Sequence, residues 1–352
     1  MLKKWSRITR YTVMALMLIA GVFTSCSNDG SQGGGTEQEP EKPVDNNKCT
    51  VIFDKNNGSD WAVSQESVTK GGFVKKPENN PYLEGFLFRG WYADGSDEEF
   101  DFGTPITSNI RLTAKWTKIP DYLKVGNGYV SGYVAEKLPT DGIIEIPEGI
   151  TSIGQYAFYE CTSLTGVTIP NTVTRIGDYA FKKCTNLTDM TIPDSVTYIG
   201  MQAFLECTSL ESVTIGKGVS KIEDGAFSNC TRLTSVTIGK GVTEIGSSAF
   251  SSCTSLASVT IPDGVTTIGY FAFLLCTKLT DVTIPDSVTE IKGMAFSSCE
   301  SLTSVTYGGT ETEWKRIYRS QSDNTYADGL PGKTIIGKDG STWTAATYTS
   351  GK

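Results

Sequence analysis

Over residues 146–306 the apolar positions recur at a fixed interval of 23 residues, and the interval never slips. The first unit opens with Ile146-Pro147-Glu148-Gly149-Ile150-Thr151-Ser152-Ile153 and runs through Ala157-Phe158, Cys161, Leu164 and Val167-Thr168 before Ile169 begins the next. Val167 and Ile169 with Thr168 between them alternate as a strand does, which predicts the aliphatic pair inward and the threonine outward. A second short extended piece is predicted over 150–153, and Ala157, Phe158 and Cys161 turn the chain back through a helical or 3₁₀ turn. Eight apolar positions of the 23 face inward. So small a unit encloses no core of its own, so its seven copies must stack theirs into a continuous one.

Three columns follow from the stacking. Thr168, Thr191, Thr214, Thr237, Thr260, Thr283 and Thr306 form a β-branched ladder on the exposed face of a parallel sheet. Pro147, Pro170, Pro193, Pro262 and Pro285, with Gly216 and Gly239 in their place in two copies, end the strands. Cys161, Cys184, Cys207, Cys230, Cys253, Cys276 and Cys299 form the third column. Equivalent residues stand ~4.8 Å apart in such a stack with parallel Cα–Cβ vectors, which keeps the Cβ atoms too far apart for disulfides. The column therefore reads as seven reduced thiols buried as small hydrophobes. Cys49 has no assigned role.

The rest of the chain divides by composition. Lys3, Lys4, Arg7 and Arg10 precede an apolar stretch over 11–23, too short to span a bilayer, so 1–25 reads as a signal peptide. Residues 26–48, rich in Ser, Gly, Glu, Pro and Asn, form a flexible tether. Residues 49–117 carry β-strand patterns and the aromatics Phe53, Phe86, Phe88, Trp91 and Trp116, which read as the core of a small module rather than a sugar platform. Residues 118–145 and 307–352 are expected to cap the solenoid, with Trp314 and Ile317 as lid residues on a short helix.

Several of these phrases resemble known families. I-P-x-x-V-T-x-I-G-x-x-A-F-x-x-C-x-x-L-x-x-V-T over 146–306 resembles the BspA-type leucine-rich repeat. That resemblance implies a mainly β solenoid with α or 3₁₀ turns, on a bacterial cell surface, with a role in adhesion or protein binding and no catalytic residue. G-F-x-F-x-G-W-Y over 85–92, with F-D-F-x-T-P-I-T and L-T-A-K-W after it, resembles the Listeria-Bacteroides repeat, also called the internalin B-repeat, which implies a β-grasp-like module. Phe23-Thr24-Ser25-Cys26 resembles a lipobox, with Phe23 where an aliphatic residue is usual, and it implies lipidation of Cys26. The expected address is a bacterial envelope, on the outer membrane and surface exposed.

Charge and chemistry narrow the function. The chain carries a net charge of −8, and removal of 1–25, with four basic and no acidic residues, takes it to −12. A polyanion is repelled, so no nucleic-acid partner is expected. The absence of histidine removes Ser-His-Asp and Cys-His catalysis and the commonest zinc ligand. Glu160, Glu206, Glu211, Glu223 and Asp224 fall at positions that differ between copies, as solvated turns do, and no enzyme activity, cofactor or metal is expected.

A partner would meet residues that change from copy to copy. Before the alanine stand Tyr156, Tyr179, Gln202, Gly225, Ser248, Phe271 and Met294; after the phenylalanine stand Tyr159, Lys182, Leu205, Ser228, Ser251, Leu274 and Ser297. The sixth copy gathers Tyr270, Phe271, Leu274 and Leu275 where others have Ser, Asp or Lys. These four, with Tyr156, Tyr159 and Tyr179, are the candidate partner-binding residues. The partner expected is a protein of a host or neighbouring cell, with a glycan for nutrient uptake as the alternative; a passive envelope stalk is a third reading.

Overall fold

A computed structural model describes residues 45, 47–57, 63–319, 329–330 and 332–345. The signal peptide, nearly all of the tether and Cys26 lie outside the described residues. Chain contacts divide at residue 46, and the unit Asn47–Lys352 is the one described below.

Its first part is a four-stranded sheet made of β1 (Lys48–Asp54), β2 (Val63–Thr69), β3 (Phe86–Ala93) and β4 (Ile110–Lys118) in the order β2-β1-β4-β3. β1 and β4 are parallel, and the other two pairs are antiparallel. Alternate residues of these strands point to one side, where Val51, Phe53, Trp91, Leu112 and Ala114 form a core of their own. Phe53 meets Trp91 edge to face at 5.0 Å, and Phe88 meets Trp116 at 5.6 Å. The Trp116 indole N–H donates to the Lys55 carbonyl at 2.9 Å, so the polar end of that ring is satisfied. Cys49 is a buried part of this core. Phe86 departs from the expectation: it begins the strand, lies beyond the packed region and is 37% exposed.

The chain then makes a hairpin of β5 (Leu123–Gly126) and β6 (Tyr129–Tyr133), joined by Asn127 and Gly128. Both turn residues have positive φ, 50° and 77°, as a tight hairpin whose twist matches its strands requires. β6 pairs with Ser152–Ile153 and so starts a nine-stranded sheet that gains one two-residue strand per repeat until Glu290–Ile291. On another side of the coil the threonine-bearing strands stack in parallel, with Thr191 opposite Thr214 and Thr214 opposite Thr237. The threonines from 168 to 306 are exposed, as expected. This sheet begins one turn before the first full repeat, because Ile143–Glu145 pairs with Gly166–Thr168. It is divided into three blocks, with breaks after Gly166–Thr168 and after Ser235–Thr237. Val167 and Val236, at the breaks, are half-buried, whereas Val213, Val259 and Val282 are buried.

The turn beginning at Ala157 is not a continuous helix. Ala157, Tyr159 and Cys161 N–H donate within their own coil, to Gly154, Tyr156 and Phe158 carbonyls at 3.1–3.3 Å, while Tyr156, Phe158 and Glu160 donate to Asp178, Ala180 and Lys182 of the next coil at 2.7–3.1 Å. An α- or 3₁₀-helix would direct every N–H back along its own axis. Here alternate donors bind the neighbouring coil, and all three sides of the solenoid are therefore stitched together by backbone hydrogen bonds.

Inside, the eight inward positions stack in columns. The phenylalanines from Phe158 to Phe296 have ring centroids 5.0–5.5 Å apart and planes within 3–8° of parallel. Each thiol from Cys184 to Cys299 donates to the phenylalanine carbonyl of the preceding coil, at 3.1–3.3 Å. That bond explains why a cysteine fits better than an alanine, since the thiol fills the space and also donates. Burial pushes Cys207 and Cys253 up to about 12. At one end Tyr133 stacks on Phe158 at 5.9 Å. At the other, α1 (Glu311–Arg319) is capped by Thr310 and Glu313, which exchange hydrogen bonds across the first turn, and buries Trp314 and Ile317. Trp314 lies edge-on to Tyr307 at 5.1 Å. Leu330 is buried in the same core, and Gly329 passes so close to Phe296 that a Cβ would stand 2.3 Å from its backbone.

Two outcomes test the columns. Phe227→Ala should cost ~3–5 kcal/mol in denaturant unfolding by opening a cavity in the stack, and should loosen both flanking coils; Ser235→Ala, on an exposed strand face, should stay within ~0.5 kcal/mol. Equal losses would refute the inward and outward assignment. The Cys207 and Cys253 thiols favour the protonated form when folded, so their stabilisation is complete below the ordinary thiol value of 9.0 and disappears as pH rises toward about 12. The unfolding midpoint should fall across that window, and replacing Cys207 and Cys253 by Ala should flatten the fall.

Candidate binding surface

The outer turn of each coil carries two residues with positive φ, four apart. They are Tyr156 and Glu160, Tyr179 and Lys183, Gln202 and Glu206, Gly225 and Asn229, Ser248 and Ser252, Phe271 and Leu275, and Met294 and Ser298, all between 53° and 64°. The left-handed conformation turns these amides toward the next coil. It favours Gly and tolerates Asn, and costs other residues about 1–2 kcal/mol. Only the fourth copy has the unstrained pair. Where the fold prefers a residue without a side chain, the sixth copy places a phenylalanine and a leucine.

The seven candidate residues lie along this ridge in two groups. In coil six, Tyr270 is 47% and Leu275 42% exposed, while Phe271 and Leu274 are half-buried. Phe271 packs beside Tyr270 at 6.3 Å, and Lys292 stands over the Tyr270 ring at 5.6 Å. In coils one and two, Tyr156 is 51% exposed and stacks on Tyr179 at 4.9 Å with rings 4° from parallel; Tyr159 meets Tyr156 edge-on at 5.7 Å. Lys183 bridges Glu160 at 2.9 Å and holds its carboxyl below the usual range, with Tyr159 adding a second hydrogen bond. Between the groups the left-handed turn positions carry Gln202, Gly225 and Ser248, with Met201 exposed beside the first. Ser228 was expected on the surface but is buried, its hydroxyl donating to the Ser251 carbonyl at 3.3 Å, because the short side chain folds into the gap between coils.

Sequence reasoning did not find two concavities on the threonine sheet, each of which takes in one of its breaks. One, of about 830 Å³, is lined by Thr237, Thr260, Thr283, Lys240, Asp263 and Lys338; the other, of about 500 Å³, by Thr165, Thr168, Thr188, Thr191 and Asp189. The threonine column was a visible signal for a hydroxyl-lined face, but the breaks in its sheet have no counterpart in the repeat. Among the described residues no three Cys, Asp or Glu side chains converge as metal ligands would, and no helix is long and apolar enough to cross a membrane.

Comparison with known proteins places this arrangement. The BspA type leucine-rich repeat region matches residues 142–257 and 206–322, overlapping spans that together cover just over half of the chain. The chain belongs to the BspA-type leucine-rich repeat family. This is a family of bacterial cell-surface proteins. The Listeria-Bacteroides repeat domain matches residues 50–115, the four-stranded module. Among solved structures, a leucine-rich cell surface protein from Faecalibacterium prausnitzii is 31% identical, with 50% of this chain and 62% of that one covered and a TM-score of 0.31. This chain thus spans less than two thirds of that relative. A leucine-rich repeat protein from Bacteroides ovatus is 24% identical over 53% of this chain and 68% of that one, with a TM-score of 0.30. The T. pallidum leucine-rich repeat protein is 22% identical over 58% and 96%, with a TM-score of 0.39. No curated protein matches the chain.

The ridge of this BspA-type solenoid yields a direct test of strain. Replacing Phe271 by Gly and Leu275 by Asn together, the pair native to coil four, should leave the melting temperature unchanged or raise it, since relief at two left-handed positions offsets the partial burial lost. A fall of several degrees would show that these side chains are core.

Proposed function

We propose that this BspA-type protein is a lipid-anchored adhesin of the bacterial envelope, held to the outer membrane through Cys26 and binding a protein of a host or neighbouring cell through its turn ridge. The observation that carries the reading is the placement of exposed Tyr and Leu, with Phe271 between them, at or beside backbone positions that penalise large side chains. Residues that the fold disfavours and solvent reaches are explained by a contact made outside the fold. Large aromatic and aliphatic groups of this kind are the usual anchors of protein interfaces. A glycan reading calls for open, side-by-side aromatic faces, whereas Tyr156 and Tyr179 cover one face of each other.

The test uses the intact protein displayed on cells or vesicles, presented to immobilised extracellular matrix proteins and to a glycan array. Binding to a matrix protein that falls at least about tenfold when Phe271→Gly and Leu275→Asn are combined, with stability retained, supports the ridge. Binding that survives the exchange points to the threonine face, and a response confined to glycans overturns the protein-adhesin reading. For the anchor, Cys26→Ala should release the chain from membranes, and mass spectrometry of the mature terminus should find Cys26 first and acylated; an unmodified terminus refutes it.

A further inference from the structure

In the stretch Gly85-Phe86-Leu87-Phe88-Arg89-Gly90-Trp91-Tyr92, the Listeria-Bacteroides pattern G-F-x-F-x-G-W-Y leaves two positions open, Leu87 and Arg89. Two residues apart on a strand, they share one face. Leu87 is half-buried and, with Ile119, packs against the core of the solenoid rather than that of its own module. Arg89 sits in a β-bulge: pairing with β4 steps from Phe88 opposite Trp116 to Gly90 opposite Lys115 and leaves Arg89 without a partner residue. Bulges re-aim side chains. This one carries the guanidinium onto Gly149 of the first coil, where an added Cβ would stand 2.6 Å from Nη1 and 3.2 Å from Cδ. Nη1 is buried there.

Gly149 has an internal control. Gly264, at the same place in coil six, has nearly the same backbone, with φ of 101° against 96°, but nothing lies within 4 Å of its added Cβ. The turn itself therefore leaves room for a side chain, and the restriction at Gly149 comes from Arg89.

We infer that Arg89 is a clamp that fixes the Listeria-Bacteroides module on the first coil, so that module and solenoid keep one orientation and the module forms the outer layer of the solenoid's amino-terminal cap. The contact holds by shape. Nη1 has no acceptor among the described residues, and a buried donor without one is unfavourable, so the alkyl stem rather than the charge supplies the attraction. The clamp stands whatever the ridge binds.

The experiment is amide hydrogen exchange on the full chain, read at 85–89 and 119–122 for the junction and at 110–114 for the module's own core. Gly149→Ala pushes the flexible end of Arg89 aside and should raise junction exchange about tenfold or more, as should Arg89→Ala. Gly264→Ala introduces the same backbone strain elsewhere and should leave the junction as in the wild type; Arg89→Met, which keeps the stem, should do the same. Exchange at 110–114 should not change in any variant. The inference is overturned if the wild-type junction already exchanges as fast as in Arg89→Ala, or if Gly149→Ala and Gly264→Ala behave alike. Should Gly149→Ala fail to fold, the contrast between Arg89→Ala and Arg89→Met decides.

Discussion

Everything in this protein depends on one coil lying directly against the next. A coil cannot satisfy its own backbone: the amides of Tyr156, Phe158 and Glu160 find acceptors only in the following coil, and the thiols from Cys184 onward find theirs only in the preceding one. The same contact closes the phenylalanine column, whose rings meet their neighbours face to face and would otherwise meet water. Hydrogen bonding and apolar burial are therefore not separable contributions here, because both vanish together when a coil is lost. The two ends inherit the problem, and they solve it with different parts. Tyr133 and the hairpin lie at one end, Trp314, Ile317 and Leu330 at the other.

The stacking constraint also divides the residues into those the fold chooses and those it leaves open. Inward positions are held to a narrow set by neighbours above and below. The left-handed positions of the outer turn are constrained differently: the fold states a preference for Gly or Asn and then tolerates Tyr, Lys, Met, Phe and Leu. The threonine face shows a third behaviour, uniform in residue type yet uneven in shape, since its sheet parts at two places while the opposite sheet runs unbroken through nine strands. Chemical variety on one side and hollowed relief on another give a single scaffold two distinct surfaces.

The repeat made the solenoid legible because period 23 exposes which residues recur, and recurrence in a stack means packing. Inward and outward assignments followed for the strand, the threonines, the phenylalanines and the cysteines. What it could not expose was the sign of φ. Tyr156 and Glu160 look like ordinary turn residues, and only Gly225 with Asn229 in the fourth copy hinted that the position is left-handed. Ser228 was misjudged for a related reason: variability between copies signals freedom from the column, not exposure, and a small hydroxyl reaches a neighbouring carbonyl inside the turn. In the module, composition identified the core, but Phe86 lies at the end of its strand, and Arg89 is turned outward by a bulge that depends on pairing with a strand more than twenty residues away. Position within a sheet, unlike position within a repeat, is not written locally.

The thiol-to-carbonyl ladder has a consequence for life outside the cytoplasm. A surface protein meets oxidants, and exposed thiols there are prone to cross-linking. In the folded stack each ladder thiol lies in the core, and burial holds Cys207 and Cys253 firmly in the unreactive protonated form. Protection begins only with folding, however. Before the stack forms the same cysteines lie at equal spacing along the unfolded chain, open to mispairing. Contacts between adjacent coils are close in sequence, and a structure assembled from them can form turn by turn without waiting for its distant end. The regularity that builds the solenoid thus also shortens the interval in which its thiols are at risk.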